Sequence, residues 1–352
     1  MRHTASVFLQ GSGKILLFVL LVLSSTQLLF AQFGARRRYN SEWSEVECPI
    51  KDNLHLIHFL DDNRGWILSD SSGVLLGTHD GGTSWQIEDS LASGYYEVLT
   101  TTADGLLLIA GDKGRLWVRP IEGESFASRG ALNESIAIYD IMPLPTGDNP
   151  NDYRLFASGA TLESGKLRAW LARSDTRGRS WERLADDFSG RFVSSLARSS
   201  LGFVYAASEG SIYTSLTGSP STWIDIYSTP GNGSTIRDLE IDPKENGGTI
   251  FGLATGHDGL VLTTFNGGRN WLHVDPFTTN RLRKALVLNT QVGWVVGDFT
   301  NDAGVCWKTD DRGANWLMKR LPFDNIGLHD IAATEDAIFV VGTGGTIYTM
   351  PR

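Results

Sequence analysis

Four short segments place an aromatic, cationic or imidazole side chain directly before an acid and an apolar residue. They are Tyr96-Glu97-Val98, Tyr139-Asp140-Ile141, Arg237-Asp238-Leu239 and His329-Asp330-Ile331, with Arg283-Lys284 as a looser fifth. If each begins a strand around a common axis, Tyr96, Tyr139, Arg237, Lys284 and His329 line one mouth. Such a set could hydrogen-bond and ion-pair with a partner. The acids Glu97, Asp140, Asp238 and Asp330 have a second use, which is to accept hydrogen bonds from the neighbouring strand. His55 and His58 form an H-x-x-H pair. On a regular strand, residues three apart face opposite ways, so a shared metal is not expected. Cys48 and Cys306 are too few for a four-cysteine zinc site, and whether they pair stays open. The sequons at Asn133 and Asn232 matter only in a host that glycosylates them.

The elements that must position these residues come from a repeat. Four eight-residue segments read Ser/Thr, any, small polar, any, Gly, any, small polar, Trp. They begin at Thr78, Ser174, Thr264 and Thr309 and end at Trp85, Trp181, Trp271 and Trp316. Weaker copies end at Trp43, Phe126 and Trp223. The seven aromatic positions are spaced by 42, 41, 55, 42, 48 and 45 residues. A period near forty-five residues is that of a propeller blade. Residues 54–88 read as four short strands with turn chemistry between them, and the other periods share this grammar. The long interval is expected to hold two loop-rich insertions, at 145–152 and 161–165. No segment has a convincing helical period. Residues 327–348 supply only three strands, so 42–48 is expected to complete the last blade and close the ring.

The turn residues have a structural reading. Asp80, Asn266 and Asp311 can accept hydrogen bonds from their own turn. Gly82, Gly178, Gly268 and Gly313 can adopt positive φ. Trp85, Trp181, Trp271 and Trp316 then anchor each outer strand. Calcium would ask for six to eight oxygens, carboxylates among them. Thr176 and Asn266, where two copies lack the Asp, suit a turn better than a metal site. No metal and no cofactor is expected.

At these residues the chain resembles the Asp-box, or bacterial-neuraminidase-repeat, propellers. It is most similar to the photosystem II stability/assembly-factor-like group. The carriers are Gly65-Trp66-Ile67, Gly73-Val74-Leu75-Leu76 and 78–85, then Gly293-Trp294-Val295-Val296-Gly297-Asp298 and 307–316, with 340–348 repeating the first half. The resemblance covers 41–352. It implies a seven-bladed, all-β propeller and a non-enzymatic, extracytoplasmic protein-binding scaffold. The alternative is a glycoside hydrolase of sialidase-like or xyloglucanase-like type. The Arg-Ile-Pro-type motif that sialidases carry near their start has no counterpart in Arg36-Arg37-Arg38-Tyr39-Asn40.

Charge and targeting narrow the partners. The 352 residues carry a net charge of −9, which disfavours a nucleic-acid partner. Residues 1–31, with Arg2, Lys14 and the apolar run 15–23, read as a signal peptide, and 32–40 as a short basic linker. Cleavage would remove two bases and no acid, leaving −11. The expected product is an exported monomer that binds a protein, with envelope or membrane proteins among the candidates.

Overall fold

The computed structural model describes residues 41–352, except 124, 130–131, 148, 150, 185–187, 189, 217–222, 230–233, 243–247, 299–303 and 324. The expected signal peptide, the basic linker and Asn232 lie outside the described residues. Seven four-stranded antiparallel sheets make a seven-bladed propeller. The inner strands, in blade order, are Leu54–Phe59, Tyr96–Thr101, Ile136–Pro145, Ser195–Arg198, Ile236–Ile241, Arg281–Val287 and Leu328–Ala333. Each pairs with the strand that follows it, and the chain works outward through each blade.

The ring closes with chain from both ends. Ser44–Glu45 pairs with Tyr348–Thr349 on the outside of the last blade, and Val46 N–H extends the ladder to Ile347 O at 2.9 Å. This strand is shorter than the expected 42–48. Trp43, just before it, is buried edge-on against Trp294 of blade six, so the closing strand is pinned by packing as well as pairing.

The core is seven layers between blades, not one centre. Each hydrophobic cluster draws from two adjacent blades: Trp66, Leu68 and Leu75 of blade one meet Leu99, Leu107 and Ile109 of blade two, and so on around the ring. Second strands are buried on both faces, as in Gly65–Ser69 and Val204–Ser208, which explains their unbroken apolar runs. Cys48 packs between blades seven and one, and Cys306 between blades six and seven. They sit on opposite faces of the closing blade, and both are free thiols.

The long third period differs from the expected pair of loops. Residues 161–163 belong to the strand Tyr153–Glu163, which runs to a two-residue turn and returns as Lys166–Ser174. Alternating side chains and a turn at Ser164-Gly165, both with positive φ, make this stretch a projecting hairpin. Among the described residues of the first expected insertion, 146–147, 149 and 151–152 lie outside the strands.

The Gly-Trp turns join third to fourth strands on one rim. In the first, Gly82 N–H donates to Thr78 Oγ1 at 2.9 Å, Thr78 Oγ1 donates to Asp80 Oδ1 at 2.8 Å, and Asp80 Oδ1 accepts Ser84 N–H at 3.0 Å. Thr309, Asp311, Gly313 and Asn315 repeat these bonds, as do Thr264, Asn266, Gly268 and Asn270. Ser174, Thr176, Gly178 and Ser180 do so with a hydroxyl in place of the carboxylate. The four glycines have φ of 81–89°. A Cβ on Gly82 would also lie 2.6 Å from the Phe339 ring, and one on Gly268 2.6 Å from Tyr205, each in the preceding blade. Trp85 and Trp271 are buried, while Trp181 and Trp316 are half-buried with indole N–H bonds to Gly178 O and Gly313 O. These turns seat neighbouring blades and bond their own leading hydroxyl and small polar side chain, while the indole N–H groups of Trp85 and Trp271 have no partner among the described residues.

Candidate functional site

The opposite rim, where inner strands begin, carries the candidate site. In six of the seven inner strands the ladder skips one residue: His55, Glu97, Tyr139, Arg237, Arg283 and His329. Each is the extra residue of a β-bulge, which bends the strand and re-aims its side chain. Glycine makes the bulge sterically open. Gly111, Gly159, Gly256, Gly297 and Gly342 pair with the residue before the bulge. A Cβ on any of the five would fall within 1.8–2.1 Å of a carbonyl oxygen on the inner strand. The inner strand pair of blade four has no register shift, and Ser194 takes the equivalent place just before its inner strand.

The six bulge residues and Ser194 meet in a recess of about 50 Å³, together with Leu56 and Lys284. His55 Nε2 and Glu97 Oε2 are 3.0 Å apart, and the rings of His55 and His329 meet edge to face at 5.8 Å. His329 Nδ1 bonds Leu54 O at 2.8 Å. Asp298, almost wholly buried, takes Arg281 Nε at 2.9 Å and Arg283 Nε at 2.8 Å. Tyr139 packs on Phe192. Arg237 has neither a hydrogen bond nor an ion pair among the described residues; it acts at longer range, and its charge helps to lower the pKa of Glu97.

Electrostatics follow from these contacts. Burial works against charge on His55, but the bond to Glu97 and its charge reverse this and raise the pKa. His329 is lowered, first by burial and then by Arg283. At Asp298 burial is outweighed by Arg281 and Arg283, and the carboxyl is held below its usual range.

One step inward is a ring of latches. Asp140 Oδ2 accepts Leu196 N–H at 2.7 Å, Asp238 Oδ2 accepts Ala285 N–H at 3.0 Å, and Asp330 Oδ2 accepts Ile57 N–H at 2.9 Å. Ser195 Oγ does the same for Leu239 N–H at 3.2 Å. Each ties its blade to the next. Lys284 Nζ reaches Asp238 Oδ1 at 3.2 Å and faces the lumen, with about 37% of its side chain accessible. Burial disfavours its charge, but Asp238, Asp330 and Asp140 outweigh that and raise its pKa. Burial pushes Asp140 and Asp330 up to about 6 against the pull of Lys284. Burial and then the Asp238 charge push Glu240 up to about 8. Beyond Lys284 the channel widens to about 360 Å³ towards the turn rim.

The structure brings Tyr139, Arg237, Lys284 and His329 together around one recess. Tyr96 does not join them. It is 1% exposed, lies in the core between blades one and two, and donates its hydroxyl to Ala92 O at 2.5 Å. The acid after it, Glu97, is the residue at the mouth. Alignment on the following apolar residue misleads in this blade, because Val98 stands where Asp140, Asp238 and Asp330 stand in theirs. His55 and Arg283 are mouth residues too, and the glycine across the ladder on the second strand is the signal that marks five of the six bulge positions. His58 is remote from His55's partners: it bonds Thr101 Oγ1 at 2.9 Å, and burial lowers its pKa to about 4. Among the described residues no cluster of three or more His, Cys, Asp or Glu side chains could hold a metal ion.

No protein-family model matches the sequence, and no curated protein does. Solved structures do match in shape. YCF48 bound to D1 peptide aligns over 90% of this chain and 98% of its own, with 17% identity and a TM-score of 0.64. YCF48 from Cyanidioschyzon merolae aligns over 89% and 99%, again at 17% identity and 0.64. A selenomethionine-substituted virginiamycin B lyase from Staphylococcus aureus aligns over 88% and 99%, at 12% identity and 0.67. At such identities the likeness is one of fold alone, shared by a peptide-bound protein and by a lyase.

Proposed function

We propose that this protein is an exported, non-enzymatic scaffold that grips a segment of a partner protein at the inner-strand mouth. One observation carries the reading. Six bulges aim six side chains of four kinds at one recess, whereas the aspartates beneath them are engaged in holding blades together. A rim of varied donors, cations and rings on a rigid ring suits recognition. That a YCF48 structure carries a D1 peptide shows that this frame can serve peptide binding, and the assembly-factor-like repeats agree with such a role. Export is part of the proposal and rests on the apolar run near the start of the sequence.

A photo-crosslinking residue at Tyr139 should trap a protein from the native cell envelope, and one at Arg179, on the turn rim, should not. Capture from Arg179 alone would overturn the assignment of the mouth. The second reading is enzymatic, and its support is the His55–Glu97 pair at 3.0 Å, the geometry of an oriented general base. Turnover of a substrate panel that is lost in His55→Gln would favour it over the scaffold.

A further inference from the structure

One charged group of the mouth has no hydrogen-bonded or ion-paired partner among the described residues. Glu97 is bound by His55, and Arg283 shares Asp298 with Arg281. Lys284 is balanced by the aspartates of the latch ring. Among the described residues Arg237 alone of these groups has neither a hydrogen bond nor an ion pair and acts on Glu97 only at longer range, although it stands in the recess with Arg283, Ser194 and His329. A guanidinium presents five donors in a fixed fork, and a partly enclosed one left without acceptors is a standing demand for an oxyanion.

The recess limits which oxyanion. Its enclosed volume of about 50 Å³ takes a group of a few atoms. Glu97 shares the recess, and Asp238 and Asp330 lie directly below around Lys284. A second negative charge on the ligand would meet these acids at close range in a weakly screening site. A planar, singly charged group matches the guanidinium fork and keeps that repulsion small. We infer that the mouth takes a carboxylate, clasped by Arg237 with Arg283 beside it. The inference rests on the mouth being the binding site; it adds that the bound segment presents an acidic side chain or a chain terminus there.

Acetate is the simplest probe, with inorganic phosphate and methylammonium beside it. In the wild-type protein the Arg237 Nε–H resonance should shift saturably with acetate, more weakly with phosphate, and not with methylammonium. Arg237→Gln should weaken acetate binding, followed through the His329 ring, by at least about tenfold. Arg179→Gln, on the far rim, should leave it unchanged. No saturable shift with acetate, or tighter binding of phosphate, overturns the carboxylate assignment. Capture of a partner at Tyr139 that neither acetate nor Arg237→Gln weakens would overturn it too, while leaving the scaffold reading in place. Acetate saturation of Arg237 with no partner at the mouth would instead leave the carboxylate site and sink the scaffold. Where acetate does compete with a captured partner, a terminal amide in the partner's segment separates a chain terminus from an acidic side chain.

Discussion

The two rims of the propeller are built by opposite rules. On the turn rim four turns repeat the same bonds with nearly the same residues, and in each the leading hydroxyl and the small polar side chain two residues on are bonded within the turn. On the mouth rim it is the backbone that repeats: a bulge opposite a close-packed residue, six times over. The six side chains it delivers are of four kinds, His, Glu, Tyr and Arg, and one of them, Arg237, has no bonded partner among the described residues. Repetition of side chains marks where the molecule satisfies itself. Repetition of backbone with variation of side chains marks where it meets something else.

The sharpest way to break this contrast is at a bulge glycine. Gly256→Ala would set a methyl 2.1 Å from Thr235 O in a backbone already fully extended, so the inner strand itself must shift. A loss of about 3 kcal/mol is expected in denaturant unfolding. Arg237 moves with that strand, so acetate binding should fall as well. Loss of stability with undisturbed binding would show that the bulge does not set the mouth.

A smaller effect is expected on the other rim. Asp311→Ala removes the acceptor for Asn315 N–H, the Asn315 amide and the Thr309 hydroxyl, all near the surface. About 1 kcal/mol should be lost, and acetate binding should not change. A change in binding would mean that the rims are coupled through the blade.

The smallest effect sharpens the boundary between them. Glu240, pushed up to about 8 in the lumen, accepts Val287 N–H at 3.0 Å, a bond that glutamine can keep. Its folded pKa lies above the unfolded value. Its proton therefore stabilises the fold below about pH 4.5, and that contribution is lost as pH rises towards 8. Glu240→Gln should flatten this decline and gain under about 1 kcal/mol at pH 8, since lumen water screens the charge. Equal pH slopes in the two proteins, measured from pH 6 to 8 by thermal unfolding, would contradict it.

The mouth was partly legible before any coordinates. Tyr139, Arg237, Lys284 and His329 fall out of aligning strand starts, because an acid that latches the next blade follows three of them. Tyr96 was misplaced because blade two uses apolar Val98 at the latch position, so the pattern slips by one. His55 and Arg283 were passed over for a related reason. A bulge adds one residue without altering the alternation on either side, and only the glycine across the ladder betrays it. In blade one even that clue is missing, since Ser69 takes the glycine's place.

Blade number, turn chemistry and the outer-strand tryptophans were determined by sequence alone, because each depends on residues within a few positions of one another. The terminal strand that closes the ring was also foreseeable, since three strands at one end leave a sheet edge that must be covered. Which side chains share the axis was decided only by the tertiary structure. Seven residues spread from His55 to His329 become neighbours through closure of the ring, and their charges balance or fail to balance only once they are brought within a few ångströms.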